Sequence, residues 1–289
     1  MKALVQPWSE RPSVPILDEP HSSILSVLHE KLNVHESLAV MNTRYKAATP
    51  FPHIVIDNMF PDDLLDDLVA EMPGMDHGKW VENSDEHLTK YNLRSAVELG
   101  ETGYRLVSFL HSAAFLYFLS EVTGIYQLLP DPYLQGSGYH ILPRGAKFDV
   151  HADRNTAYET GLNRRLSMIT YLNKSWPHEY GGQLELWNAD GTRCEAVVEP
   201  VFNRTVFFEI GDTYFHGVPS HVACPAGRSR NSFVVYYHTA ALARQAAPHT
   251  SIYSPSFYQN RRAKLIQVVK DLTPPILMRN LRKLKGDEY

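Results

Sequence analysis

Hydrophobic and polar positions follow two different rhythms along the chain, and the change falls roughly halfway. In the first half, apolar residues recur at helical spacing, most clearly in YRLVSFLHSAAFLYFLSEVTG (104–124), which predicts one long helix ending at Gly124. This helix is apolar on most of its circumference, so we expect it to be buried against a large surface. A strand is predicted over 51–60 and a helix over 61–72, with Pro61 in its first turn.

From about residue 131, the chain consists of short β-type runs separated by Gly, Pro, Asn and Asp. Eight strands are predicted, at about 133–141, 146–152, 165–172, 183–188, 192–199, 203–210, 213–218 and 231–239. Between the fourth and the fifth, Asp190 and Gly191 are expected to supply the positive-φ positions of a tight hairpin turn. Helices followed by a run of strands indicate an α+β protein with a mainly β core, arranged as a jelly roll or cupin-like barrel.

The two ends of the chain are expected to be additions to one domain of catalytic size. We predict three parts: an N-terminal extension (1–48), a main domain (49–245, with its β core at about 131–240) and a basic helical tail (246–289). In the extension, only 24–38 suggests a helix. For the tail, packing on the domain or a partner is favoured over contact with anionic lipid, because Pro274 and Pro275 interrupt its helix.

Composition excludes several classes of protein. The 289 residues are 44% hydrophobic and 21% charged, which is typical of a folded globular chain rather than a disordered or fibrous one. The formal net charge of −4 argues against a nucleic-acid-binding protein. No apolar run is long enough to span a membrane, the N-terminus lacks a signal-peptide pattern, and two cysteines cannot form a disulfide framework, so we expect a cytoplasmic protein.

Three potential metal ligands stand out among 14 histidines and 32 acidic residues. His151 and Asp153, in KFDVHADRN, are two residues apart on a predicted strand, so their side chains leave the same face. His216, in GDTYFHGVP, lies on a later predicted strand. Two imidazoles and one carboxylate form the facial triad that binds Fe(II) and leaves coordination positions open, although zinc would also accept these ligands.

Arg230 and Ser232 form a second pair of side chains on one face of a predicted strand. A guanidinium beside a hydroxyl is suited to binding a buried carboxylate. The spacing therefore suggests a dicarboxylate site next to the metal.

Four segments together resemble one family. They are QGSGYHILPRGAKFDVHADRN, RRLSMITYLNKSWPHEYGGQLELW, EPVFNRTVFFEIGDTYFHGVP and RSRNSFVVYYHT. Over roughly 51–240 the chain resembles the Fe(II)- and 2-oxoglutarate-dependent oxygenases, in particular their prolyl 4-hydroxylase-like branch. The resemblance implies a double-stranded β-helix with helices packed outside. It assigns His151, Asp153 and His216 to iron, Arg230 to the distal carboxylate of 2-oxoglutarate, and Ser232, Tyr171 and either Tyr139 or His140 to cosubstrate contacts.

The activity implied by this resemblance is hydroxylation of an unactivated C–H bond, with Fe(II), 2-oxoglutarate and O2 and with release of succinate and CO2. Asp153 stands where a halogenating variant has a small residue, which favours hydroxylation. Ascorbate dependence stays open. The expected partner is a small-molecule substrate or biosynthetic intermediate, with Asn155, Arg164 and Arg165 as candidate contacts. The alternatives are a cupin-like metalloenzyme without 2-oxoglutarate, a peptidyl-prolyl hydroxylase and a non-catalytic binding barrel.

Overall fold

Two antiparallel sheets form the β core of the protein, for which we describe a computed structural model. The structure describes Leu28 and residues 30–75, 78–93, 98–158, 160–240 and 248–254. The strands are β1 (His53–Asp57), β2 (Trp80–Ser84), β3 (Thr89–Leu93), β4 (Gly138–Pro143), β5 (Phe148–Ala152), β6 (Asn163–Tyr171), β7 (Leu184–Trp187), β8 (Cys194–Val198), β9 (Arg204–Glu209), β10 (His216–Val218), β11 (Ser229–Thr239) and β12 (Ile252–Tyr253).

The larger sheet has the strand order β1-β9-β6-β11-β4-β3-β2, and the smaller one has the order β12-β5-β10-β7-β8. All eight strands predicted from the sequence are present, and the jelly-roll fold with a mainly β core is confirmed. Side chains on the facing surfaces of the two sheets meet in between, as in the ring contact of Phe208 on β9 with His216 on β10, 4.5 Å between centroids. This space between the sheets is where the candidate site lies.

Four helices accompany the larger sheet: α1 (Leu38–Ala47), α2 (Asp62–Glu71), α3 (Glu101–Leu110) and α4 (Ala113–Thr123). Their apolar side chains share one buried cluster with the outward-facing residues of β4, β6, β9 and β11. Tyrosine hydroxyls tie the two layers together: Tyr139 donates to the carbonyl of Leu68 at 2.9 Å, and Tyr237 donates to that of Leu110 at 3.2 Å. The helices therefore cover one face of the larger sheet and leave its other face for the site.

The prediction of a single helix over 104–124 is wrong. The structure has two helices, α3 and α4, bent by 55° around a break at residues 111–112. Ser112 causes the break, because its side chain accepts a hydrogen bond from the backbone N–H of Phe115 and so starts a new helix. The predicted end is confirmed, since Gly124 caps α4 at φ 73°.

Membrane-spanning potential was searched among the described residues. There, no single helix is long and apolar enough to cross a bilayer, and the bent pair α3–α4 passes the test by length and composition only.

The helix expected over 24–38 is also placed differently. The helical residues described before α1 end at Lys31, and α1 begins separately at Leu38. Ser37 caps α1, because its side chain accepts a hydrogen bond from the backbone N–H of Val40. From α1, Asn42 donates to the carbonyls of Glu121 and Val122 in α4. The described part of the predicted N-terminal extension thus packs into the main core.

The tight turn predicted at Asp190 and Gly191 is a six-residue loop, 188–193, because strand pairing ends at Trp187 and Cys194. Only Gly191 of this pair has a positive φ, 66°. The Asn188 side chain organises the loop instead, since it accepts hydrogen bonds from the backbone N–H groups of Thr192 and Arg193.

Two strand segments were not predicted. The β2–β3 hairpin has too polar a sequence to stand out, and β12 lies beyond the predicted domain boundary at residue 245, where it pairs with β5 of the smaller sheet. The rest of the predicted tail, 255–289, lies outside the described residues.

Candidate metal centre and anion pocket

The three predicted metal ligands come together between the sheets. His151 on β5 is directly opposite His216 on β10 in the strand register, and Asp153 follows the end of β5. Their ligand atoms all lie within 4.8 Å of one another: His151 Nε2 is 3.5 Å from Asp153 Oδ1, and His216 Nε2 is 3.8 Å from Asp153 Oδ2. All three side chains are buried.

Backbone carbonyls orient both imidazoles. His151 Nδ1 lies 2.8 Å from the carbonyl oxygen of Asp149, and His216 Nδ1 lies 3.2 Å from that of Tyr214. When Nδ1 donates to these oxygens, each Nε2 keeps its lone pair for the cluster, as metal-binding histidines do. His151 Nε2 and Asp153 Oδ2 are buried without a hydrogen-bond partner in the described part of the chain. Orphaned donor atoms in this arrangement fit a divalent metal ion.

The electrostatics of the cluster keep its ligands in metal-binding form. Burial would raise the pKa of the Asp153 carboxyl, but the adjacent imidazoles of His151 and His216 and the charge of Arg164 hold that pKa well below its usual range. Burial lowers the pKa of His216 to about 4, against the opposing effect of Asp153. At neutral pH the site therefore offers an ionised carboxylate and a neutral His216.

Aromatic rings close the metal site to water. Phe148 stacks on His151 at 3.9 Å between ring centroids with an interplanar angle of 17°, and Phe208 contacts His216 from the opposite sheet. This apolar lining fixes the imidazole orientations and lowers the local dielectric.

Arg230 lies at one end of the same pocket and is buried. Its Nε donates to the carbonyl of Gly182 at 2.6 Å, and its guanidinium carbon lies 4.9 Å from the Tyr171 ring centroid. Burial lowers the pKa of Arg230, and Tyr171 is the group that opposes this. No carboxylate in the described segments forms an ion pair with Arg230, so a buried cation here calls for an anionic ligand.

Ser232 lies on the same face of β11 as Arg230 and lines the pocket, opposite Tyr171 of β6 and His140 of β4 in the register. Gly182 approaches Arg230 so closely that an added Cβ would lie 2.9 Å from Arg230 Cδ. The Gly181–Gly182 element thus positions the guanidinium.

Of the two alternatives on β4, only His140 faces the pocket. The predicted cosubstrate contact at Tyr139 is wrong. Its side chain points away from the pocket into the helical layer, where its ring contacts that of Phe233. Neighbouring strand residues project to opposite faces, so the two could never share the role. His140 Nε2 lies 2.8 Å from the carbonyl oxygen of Gly136, and burial lowers its pKa well below the ordinary value.

The three candidate substrate contacts all line one outer groove, but their partners differ. Arg164 is buried, with 7% exposure, and its guanidinium carbon lies 3.9 Å from the Tyr236 ring centroid. Arg165 forms an ion pair with Glu209 at 2.7 Å. Asn155 Oδ1 accepts a hydrogen bond from the backbone N–H of His249. Only Arg164 is within electrostatic reach of the metal ligands.

Sequence reasoning missed several pocket residues. Lys90 comes from the unpredicted β2–β3 hairpin, Phe148 precedes the metal ligands on β5, and Tyr236 lies on the same face of β11 as Arg230. Tyr236 had a usable signal, because it continues the alternation that starts at Arg230 and Ser232. Lys90 had none, since its strand, TKYNL, is too short and too polar to show a clear alternation of apolar and polar residues.

Two facing sheets with two imidazoles and a carboxylate between them define a metal-dependent double-stranded β-helix protein. A family model described as the 2OG-Fe(II) oxygenase superfamily matches residues 135–238. The prolyl 3-hydroxylase OGFOD1 of Mus musculus is 27% identical over 175 residues, a match that covers 58% of this chain and 30% of that protein. Residues 135–238 are thus similar to the 2OG-Fe(II) oxygenase superfamily, and the chain is prolyl hydroxylase-like. This family uses Fe(II), 2-oxoglutarate and O2.

Solved structures share the fold at low sequence identity. A Trichoplax adhaerens prolyl hydroxylase, solved in complex with a hypoxia inducible factor oxygen degradation domain peptide fragment, superposes with a TM-score of 0.53 at 16% identity, covering 76% of this chain and 94% of that one. A prolyl 4-hydroxylase from Phytophthora capsici superposes with a TM-score of 0.50 at 19% identity, covering 79% of this chain and 70% of that one.

Proposed function

We propose that this protein is a non-haem Fe(II) and 2-oxoglutarate-dependent dioxygenase that hydroxylates an unactivated C–H bond of a small molecule or biosynthetic intermediate, with release of succinate and CO2. One observation carries the proposal: a buried arginine without an acidic partner, Arg230, faces the same pocket as the triad of His151, Asp153 and His216. A metal site alone leaves that arginine unexplained, whereas a chelating dicarboxylate requires both.

Each residue has a distinct task in this proposal. His151, Asp153 and His216 hold the iron and leave positions on it open for ligands. Bound there, iron with 2-oxoglutarate supplies the activation of O2 and the oxidation of a C–H bond. Arg230, fixed by the Gly182 carbonyl, binds the distal carboxylate of the cosubstrate, with Ser232 and Tyr171 beside it.

A second candidate, peptidyl-prolyl hydroxylation, is favoured by one observation, the similarity to the Mus musculus prolyl 3-hydroxylase. In that case a prolyl residue of a polypeptide would enter the pocket instead of a whole small molecule. A cupin-like enzyme without 2-oxoglutarate would use the same triad but would have no task for Arg230.

In the first test, Fe(II) and then 2-oxoglutarate are added anaerobically to metal-free protein. The visible absorption spectrum is then recorded to detect the weak charge-transfer band of the chelate. We expect the band in the wild type. In Arg230→Ala, iron still binds, but the 2-oxoglutarate requirement rises steeply, because removal of the partner of a buried charge costs about 2–5 kcal/mol. Arg228→Ala, two residues earlier and on the exposed side, is the matched control.

Iron binding without the band in the wild type would favour the cupin-like alternative, and absence of iron binding would favour a non-catalytic barrel. With the band established, succinate release measured with small acids and with prolyl peptides separates the two substrate classes.

A further inference from the structure

We infer that the substrate of this oxygenase carries an anionic group, a carboxylate or a phosphate ester, and that this group binds Arg164 and Arg154 beside Tyr236, together with Lys90 from the lining of the metal pocket. The inference rests on the proposed function and adds the chemical class of its substrate. We name these three cations the outer cation cluster.

Arg230 and Tyr236 mark two separate ends of the space between the sheets. On β11, Arg230 and Tyr236 face the same pocket and are six residues apart, which corresponds to about 20 Å along a strand. Arg164 lies over the ring of Tyr236, at the far end. One 2-oxoglutarate molecule that reaches from the metal to Arg230 leaves this end free for another ligand.

A bulge turns Arg164 toward the pocket. The register between β6 and β11 shifts between Tyr237 and His238, so Arg164 pairs with His238 while Leu166 pairs with Tyr237. Arg165 is the extra residue, and the alternation of the strand is reset there. Arg164 Nη2 donates to the carbonyl of Gln135 at 2.9 Å, which anchors one edge of the guanidinium.

Each arginine of the cluster has one buried donor nitrogen without an acceptor in the described segments. Arg164 is buried and its Nε has no hydrogen-bond partner in the described part of the chain, and the same holds for Nε of Arg154. Arg154 is held against Tyr158, with its guanidinium carbon 3.5 Å from the ring centroid. Buried guanidinium nitrogens without acceptors indicate a missing ligand that carries acceptors.

Lys90 completes the cluster from the β2–β3 hairpin. Its Nζ lies 5.2 Å from the Phe148 ring centroid, and it lines the metal pocket. Burial lowers the pKa of Lys90 to about 8. The negative charge of Asp153 opposes this decrease in pKa, and the positive charge of Arg164 adds to it. Repulsion between two cations that share a site is relieved when an anion binds between them.

The balance of charge supports the same conclusion. Asp153 is the acidic group that acts on all three cations of the cluster, and it is committed to the metal. The metal ion adds positive charge, and the two carboxylates of 2-oxoglutarate are accounted for by the metal and Arg230. The outer cation cluster thus stays uncompensated after metal and cosubstrate have bound, which favours a negatively charged substrate.

The test uses the full chain, loaded anaerobically with Fe(II) and saturating 2-oxoglutarate so that the metal and Arg230 are occupied. Methyl phosphate and, separately, acetate are then titrated at constant ionic strength by calorimetry. We expect saturable binding of one anion in the wild type, about tenfold weaker in Arg164→Gln because a charge-assisted contact is lost. Arg193→Gln, an exposed arginine paired with Glu195 away from the pocket, should bind like the wild type.

Lys90→Gln provides a second variant if Arg164→Gln does not fold, and it should also weaken binding. Tighter binding of methyl phosphate identifies a phosphate ester, and tighter binding of acetate identifies a carboxylate. Equal affinity in Arg164→Gln and wild type, or no saturable binding while the chelate band is intact, would overturn the inference and leave the proposed function standing. Absence of the chelate band itself would instead refute the proposed function.

Discussion

At the residue scale, Asp153 joins the two imidazoles of the metal centre. It contacts His151 Nε2 and His216 Nε2 and supplies the only negative charge that the cluster offers to a cation within the described residues. We therefore expect Asp153→Ala to weaken iron binding by more than about 100-fold, since loss of an outer partner of a ligand already costs 10–100-fold. Equilibrium dialysis with Fe(II) measures this, and succinate formation should fall to background.

The exposed His178, which pairs with Glu199 away from the pocket, offers a control for that experiment. His178→Ala should retain wild-type iron affinity. Wild-type succinate formation by Asp153→Ala would remove the triad assignment.

Residue types and spacings were enough to predict the triad and Arg230, because two-residue spacing on a strand fixes the common face. The same rule could not choose between Tyr139 and His140, since it says only that they face opposite ways. It gave no direction for the side chain of Arg164, because the bulge at Arg165 resets the alternation and a bulge has no signal in this sequence.

At the element scale, the Gly181–Gly182 turn determines the position of Arg230. Gly182 has φ 78° and its carbonyl accepts from Arg230 Nε. Gly182→Ala introduces both backbone strain and a contact of 2.9 Å with Arg230 Cδ, so we expect the 2-oxoglutarate requirement to rise while iron still binds. The chelate band as a function of 2-oxoglutarate concentration measures the effect.

Gly227→Ala is the matched control, because Gly227 has φ 80° but no atom within 4 Å of its added Cβ. It should lower stability through the same backbone strain and leave the 2-oxoglutarate requirement unchanged. Equal effects of both substitutions on that requirement would show that strain alone, and not the contact with Arg230, is responsible.

The short strand β12 supports the metal-binding strand from its edge. Tyr253 pairs with His151, and Ser254 donates from its backbone N–H to the Val150 carbonyl and from its Oγ to that of Gly191. A chain that ends after residue 247 should therefore bind iron more weakly than one that ends after residue 259. Identical iron affinities of the two truncated chains would mean that β12 has no part in holding His151.

Strand positions were predictable from their alternation, but these edge contacts were not. A two-residue strand such as β12 is too short to show a period, and the α3–α4 break depends on one capping serine within an apolar run. Local hydrogen bonds overrode the helical pattern in that segment.

At the scale of the whole molecule, buried neutral histidines make stability depend on pH. Burial lowers the pKa of both His216 and His238 from 6.5 to about 4, and it also lowers the pKa of His53, His111 and His140. Below pH 6.5 the unfolded chain binds protons that the folded chain excludes, so the free energy of unfolding decreases as the pH falls toward 4. The loss at pH 5.5 should be about 1.4 kcal/mol each for His216 and His238.

Urea unfolding of the metal-free protein at pH 7.5 and pH 5.5 tests this, since ordinary carboxylates stay ionised over that interval. His238→Gln should reduce the difference in unfolding free energy between the two pH values by the contribution of one histidine. Equal midpoints at the two pH values would contradict the expectation.

The outer cation cluster also has a kinetic consequence. The protein carries a formal net charge of −4, yet Lys90, Arg154 and Arg164 concentrate positive charge around the ring of Tyr236 and the metal pocket. Such local fields raise the encounter rate of oppositely charged ligands and are screened within about 10 Å at 0.1 M salt. Anions are thus attracted from solution toward this cluster, and added salt lowers their association rate.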